Sequence, residues 1–557
     1  MKYRHLFLGQ MALTLIFGCA QELPKADLVI TNAVIWTGNE AQPTAEAMAI
    51  AGDTILAVGT TAEIKKLTNS KTEVVDAEGT FVTPGFIDSH LHFMGGGASL
   101  LSIDLRYADT PEKFVNWIAE YAKTLEPGEW ILEGNWDHTL WGGELPTRDW
   151  IDAVTPHNPV AITRLDGHML LANSLALELA GIDAATLDVE GGDIIRDARG
   201  NPTGILKDNA MDPIWPNIPS DTEARRKAYF EAAQDYLVAN GVTSVHDVDG
   251  LNGEMGTHYF ARAARDRGEL KLRVYAVRAI GGWKDLEKLV AAEGRGDKWV
   301  RIGGLKGFVD GSLGSHTALF KDPYTDQPDD HGLMVNTEED LYTWISGADK
   351  AGLHILIHGI GDQGIRTILD IYQQVAEENG PRDRRHRVEH AQHMGSGDFE
   401  DFSSTGTIAS AQPYHCIDDG RWAEPLIGQD RASRTYPFKT FKEQGIIMAF
   451  GSDWPVAPAT PLEGLYAAVT RRTLDDKNPD GWVPEQKISI DDALLGYTRD
   501  AAYASFEEDI KGTLEPGKLA DFVFISDDLT KIDPVEIWDS QILKTFVGGK
   551  KVYDSME

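Results

Sequence analysis

At 557 residues, with 42% hydrophobic and 25% charged side chains, the chain has room for one large domain and a smaller one, and its composition is that of a globular rather than a disordered protein. Its 52 basic against 87 acidic residues give a formal charge of −35, which excludes the two partner classes that reward basic patches, nucleic acid and anionic membrane surfaces.

In chain order the first element is a targeting segment, residues 1–19. Lys2, Arg4 and His5 precede an apolar run from Leu6 to Phe17 that is too short to span a bilayer as a helix, and the run ends in IFGC. This resembles a bacterial lipoprotein signal, in which Cys19 becomes the lipidated first residue of the mature chain; a plain secretory signal is the alternative. Ala20 in place of aspartate leans toward the outer membrane, so the expected location is exported and lipid-anchored on its periplasmic face. Cys416 is the only other cysteine, so no intramolecular disulfide is expected.

The stretches 26–38 and 47–59 alternate apolar with small or polar residues, and 513–525 and 542–553 repeat that texture at the far end. Residues 26–82 and 505–557 are therefore expected to pair into one small β-sandwich-like domain beside an α/β body. Within the body, 83–504, Ser220 and Glu223 read as a capping box. Tyr229, Ala233, Tyr236 and Leu237 form the apolar face of the helix that follows, and Asn240-Gly241 ends it. Apolar strands follow at 242–249, 272–277, 302–310, 353–360, 387–393, 408–414 and 446–453. With 83–93 they number eight, the pattern of an α/β protein built on a parallel (β/α)8 TIM barrel. Residues 95–219 are too long for a first β–α connection and read as an inserted subdomain on the catalytic rim, with strands at 130–135 and 160–167 and a hairpin at 193–208.

The strand 83–93, TPGFIDSHLHF, carries the chemistry. Residues two apart on a strand share a side, so His90 and His92 can face one metal ion, with Asp88 near enough to accept from one of them. Lys306, His358, His390 and Asp453 fall at the ends of the fourth, fifth, sixth and eighth strands, where a barrel of this kind builds its site. Each alone would pass for an ordinary lysine, core histidine or turn aspartate. Together, nitrogen and carboxylate ligands without cysteine suit a divalent metal, Zn²⁺ first, with Mn²⁺ or Fe²⁺ as alternatives.

The motifs GFIDSHLH (85–92), ITRLDGHMLLANSLAL (162–177), GLKGFVDGSLGS (304–315), ILIHGIGD (355–362), RVEHAQH (387–393), GSDWPV (451–456) and LEPGKLADFVF (514–524) resemble the metal-dependent amidohydrolase superfamily, in its family 3 branch that includes N-substituted formamide deformylases. By that resemblance His90, His92 and Asp453 would hold one metal, His358 and His390 another, and Lys306, carboxylated by CO₂, would bridge them. The implied reaction is hydrolysis of a C–N bond in an amide, formamide or cyclic amide by metal-activated hydroxide. Asp453 is then the catalytic residue that takes up the proton of the water and passes it to the leaving nitrogen. Ester hydrolysis is the alternative within the superfamily. A non-catalytic, lipid-anchored binding protein is the alternative from another class, although a pure binder has no use for an open metal position.

The inserted region is rich in tryptophan, at 130, 136, 141 and 150, and LDGHML places His168 near a strand end. Burial in the insertion's own core competes with a pocket role for these rings. On the pocket reading, Trp136, Arg164 and His168 touch substrate, with His168 a catalytic donor to the developing oxyanion and a preference for amides bearing an apolar or aromatic group. The expected partner is a small amide-type substrate, and a homodimer is left open.

Overall fold

The computed structural model describes residues 25–250 and 256–556. The expected targeting segment and Cys19 lie outside the described residues. Among the described residues no helix is long and apolar enough to cross a membrane.

Eight strands, β1 (Phe86–Leu91), β2 (Val242–Gly250), β3 (Arg273–Ala279), β4 (Val300–Phe308), β5 (His354–Gly359), β6 (Arg387–His390), β7 (Ile408–Ala411) and β8 (Met448–Phe450), form one parallel sheet in chain order. They are buried nearly throughout, as the runs of Val, Ile and Leu require when helices cover the outer face of a sheet that curls on itself. The seam between β8 and β1 is sealed just past the end of β8. Asp453 N donates to His90 O at 2.7 Å, His92 N to Trp454 O at 2.8 Å, and Asp88 accepts from Ser452 N at 3.0 Å and Ser452 Oγ at 2.6 Å.

Several strands are shorter than their sequence patterns. The stretch 83–93 divides: Phe81–Pro84 pairs with Phe522–Ile525 in another sheet, and β1 begins after Gly85. A side chain at Gly85 would lie 2.2 Å from Thr243 Oγ1, so only glycine allows the chain to cross from one sheet to the other here. Strand β6 stops at His390 because His390 and Ala391 turn to φ 72° and 45°, and β7 stops before Pro413 opens a helix. The helix Glu223–Ala239 is capped by Thr222, whose side chain accepts from Arg225 N, rather than by Ser220; the three-residue reach from the cap places the cap two positions later.

Both chain ends meet in two further sheets. One has four strands (Leu28–Thr31, Ala47–Ala51, Thr54–Gly59, Glu73–Asp76), and the other has six that include Val34–Trp36, Phe522–Ile525, Ile542–Val547 and Lys550–Asp554. Ile35, Met48, Val82, Phe522 and Phe546 fill the space between them. A buried bidentate pair, Arg273 Nε to Asp521 Oδ2 at 2.6 Å and Nη2 to Oδ1 at 2.8 Å, ties this unit to β3. The inserted region builds its own six-stranded sheet, in which Ile131–Trp136, Val160–Arg164, Met169–Ala172 and the hairpin Gly192–Arg196/Pro202–Asp208 are neighbours.

Candidate metal centre

The carboxyl ends of the barrel strands open into a cavity of about 310 Å³. His90 (β1), His390 (β6) and Asp453 place three ligand-type atoms within 4.8 Å of one another, all buried. Asp453 Oδ1 lies 3.2 Å from His90 Nε2 and 3.3 Å from His92 Nε2, and Lys306 Nζ lies 3.3 Å from His90 Nε2. The His358 ring stands 4.4 Å from that of His390 and 4.9 Å from that of His168. All six expected ligands thus converge. The tightest group nonetheless unites His390 with His90 and Asp453, whereas the resemblance pairs His390 with His358.

Each of the four expected ligand histidines is oriented by an acceptor on one ring nitrogen. His90 Nδ1 meets Glu389 Oε2, and His92 Nδ1 meets Asp249 Oδ1 at 3.1 Å. His358 Nε2 meets Gly311 O at 3.0 Å, and His390 Nδ1 meets Gln412 Oε1 at 2.8 Å. A proton fixed on that side leaves the other nitrogen's lone pair for a metal, which is the way ligating imidazoles are commonly held. Asp88 was the expected acceptor, but its oxygens are taken by Ser452 and by His90 N, so it closes the barrel instead. Glu389, Asp249 and Gln412 were not singled out from the sequence, although Glu389 adjoins His390 in RVEHAQH and was there to be read.

The electrostatics suit a cation. Burial and then His168 and Lys306 hold the His358 imidazole well below its usual range; burial and His358 do the same for His390, so both rings are neutral. Burial opposes charge on Asp453, yet His90 and His92 keep its carboxyl well below the usual carboxylate range. Burial opposes a second proton on His92, but hydrogen bonds to Asp249 and Asp453 push it up to about 10, with Nδ1 facing Asp249 and Nε2 facing Asp453. Burial also brings the Lys306 ammonium down to about 8, against the pull of Glu389 and Asp453. His390 (φ 72°) and Asp453 (φ 60°) hold left-handed backbone, of order 1–3 kcal/mol each, a strain that clusters at functional sites. The neutral imidazoles of His358 and His390 plus the ionised carboxylate of Asp453, buried and oriented, fit a divalent cation; a well-packed core would not need them.

The other expected contacts divide. His168 lies at the cavity beside His358, its Nδ1 2.5 Å from Asp208 Oδ1. Arg164 also lines the cavity, but its guanidinium is held by Asp166 at 2.5 Å, by Asp137 at 3.4 Å and by the His138 ring at 3.2 Å, so it organises the wall rather than offering a free donor. Trp136 does not line the cavity. It is fully buried in the insertion's core, where its Nε1 donates to Ile162 O at 2.9 Å and Phe114 packs edge-on against its ring. Trp141 and Trp150 pack against the same core, and Trp130 against a neighbouring cluster of the insertion, so the aromatic density of this region is explained by packing.

An eight-stranded parallel barrel with buried histidine and carboxylate side chains of ligand type gathered at its carboxyl end is the arrangement of a metal-dependent hydrolase. Residues 73–553 match the amidohydrolase family, to which the chain belongs. It is 39% identical over 545 residues to Protein LONG AFTER FAR-RED 3 of Arabidopsis thaliana, covering 95% of this chain and 92% of that one. It is 27% identical to the N-substituted formamide deformylase of Arthrobacter pascens, over 95% and 98% of the two chains. Among solved structures, an uncharacterized metal-dependent hydrolase from Pyrococcus horikoshii OT3 superposes with a TM-score of 0.74 at 28% identity, covering 91% of this chain and 99% of that one.

Proposed function

We propose that the chain hydrolyses a C–N bond in a small amide, formamide or cyclic amide, with Zn²⁺ as the first choice of metal. The observation that carries this is the buried His90–His390–Asp453 group, with each histidine oriented by an acceptor and the whole opening on a cavity beside His168. The similarity to a protein named N-substituted formamide deformylase supports the choice of bond. A divalent cation bound there supplies a Lewis acid for the scissile carbonyl and lowers the pKa of water to about 7. Asp453, held ionised, takes a proton from the attacking water and returns it to the leaving nitrogen. His168, its Nδ1 committed to Asp208, presents Nε2 toward the carbonyl oxygen as negative charge develops.

The test is hydrolysis of N-formyl, N-acyl and cyclic amides by metal-loaded protein, with metal analysis of the same sample. Protein purified without chelators is expected to hold close to two divalent ions per chain. One ion would leave His358 outside the ligand set, and none would overturn the metal reading. His168→Ala is expected to keep its metal and lose about 10²–10³ in kcat; full activity in that variant would remove His168 from the site.

The lipid anchor is part of this proposal. Cys19→Ser is expected to move the protein from washed membranes to the soluble periplasmic fraction, with activity kept. A variant that stays with the membranes would rule out lipidation at Cys19.

A further inference from the structure

The inserted strand Ile131–Trp136 passes through three successive residues with left-handed backbone: Glu133 (φ 64°), Gly134 (φ 108°) and Asn135 (φ 51°). Glycine adopts such angles freely and glutamate does not, so this bulge works against its own side chains. The strand slips register against Val160–Arg164 at the same point, between Gly134 and Trp136. Bulges near active sites re-aim side chains, and here Glu133 and Asn135 both line the cavity while Trp136 returns to the core.

The other carboxylates of the cavity wall are answered. Asp166 has Arg164, Ser312 and Ser315; Asp418 has Arg421; Asp419 accepts from Tyr436 and Gln392; Asp249 holds His92 and Met94 N. Among the described residues, the Glu133 carboxylate has no hydrogen-bond or ion-pair partner. Its charged surroundings are Asp249 and Asp221, both acidic, and Arg225, whose guanidinium lies 3.3 Å from Asp221. Burial and then Asp249 push the Glu133 carboxyl up to about 7, the signature of a carboxylate short of a counter-charge. A carboxylate and a carboxamide are too few ligands for a second metal site but match a primary ammonium, whose three donors need oxygen acceptors.

We infer that Glu133, with Asn135 beside it, forms a subsite for a cationic group on the substrate, a primary ammonium carried on the part of the molecule that extends from the scissile bond toward the His92 side of the cavity. The subsite concerns binding alone; its link to turnover rests on the C–N hydrolase reading above. It replaces the expected preference for apolar and aromatic amides, whose support was the tryptophans now placed in the core.

The experiment compares N-formyl-diaminoalkanes with N-formyl-amino alcohols of equal length on the metal-loaded full chain, and separately titrates n-butylammonium and n-butanol by calorimetry. A charge-assisted contact of this kind predicts a preference for the ammonium compound of about 10- to 100-fold in kcat/KM. Glu133→Gln is expected to bring the ratio close to one with metal content unchanged, and Glu133→Lys to invert it toward carboxylate-bearing amides. Equal kcat/KM for the two compounds in the parent protein overturns the subsite without need of any variant, as does a preference that survives in Glu133→Gln. If neither compound is hydrolysed, butylammonium binding that Glu133→Gln abolishes supports the subsite and counts against formamides as the substrate class. Absence of that binding overturns the subsite.

Discussion

Asp453→Asn is expected to lower kcat/KM by about 10²–10⁴-fold, the range for loss of a group that shuttles a proton in the transition state. The substitution is a stringent one because asparagine keeps nearly everything else. It tolerates the left-handed φ of 60° at this position, and the backbone bond from residue 453 to His90 O that seals the barrel is unaffected. What disappears is the negative charge 3.2 Å from His90 Nε2 and 3.3 Å from His92 Nε2, and with it the oxygen able to take up a proton. Steady-state kinetics with metal analysis of the same preparation separates the two roles. Lost metal points to ligation and retained metal with a collapsed kcat to proton transfer, while activity within tenfold of the parent would exclude Asp453 from both.

Lys306→Ala is expected to cost at least about 10²-fold in activity, the upper range seen when a supporting partner of a metal site is removed. The amine is buried over the Phe308 ring, 4.8 Å from its centroid, and 3.3 Å from His90 Nε2, a poor place for an ammonium and a worse one beside a metal ion. Burial has already brought it down to about 8, so about a tenth is the neutral amine at pH 7, far more than for an exposed lysine. That is the form that adds CO₂: the nitrogen lone pair forms the N–C bond, one proton is released, and the neutral amine becomes an anionic carbamate. Acetate or propionate is then expected to restore part of the activity of Lys306→Ala by standing in for the missing carboxylate. Unchanged activity in the variant would remove Lys306 from the site, and activity that no carboxylate restores would argue for an unmodified amine.

What could be read from the sequence was local in range. His90 and His92 follow from the two-residue period of a strand. Lys306, His358, His390 and Asp453 follow from their places at strand ends, and the barrel follows from eight apolar strands spaced by helix-length segments. The acceptors that fix these imidazoles come from other strands, Glu389 on β6 at 299 residues from His90 and Asp249 on the adjacent β2 at 157 from His92, and no local pattern pairs them. Asp88 illustrates the same limit, being close in sequence to the histidines yet engaged with Ser452. Trp136 was expected at the pocket and lies in the insertion's core, whereas Glu133, three residues before it on the same strand and not singled out, lines the cavity. Composition shows that a region is aromatic but not which rings it keeps for itself.

The seal between Asp88 and Ser452 joins residues 364 positions apart. At a translation rate of about 5–20 residues per second, roughly 20–70 s separate the emergence of the two from the ribosome. Until residue 452 is made, the edge of β1 that faces β8 lacks the contact that closes it, and the residue that closes it is followed immediately by the one that completes the His90–His390–Asp453 group. A truncated product that stops short of residue 453 therefore lacks both the closed barrel and the carboxylate of the His90–His390–Asp453 group, so that group exists only in a chain made nearly to its end.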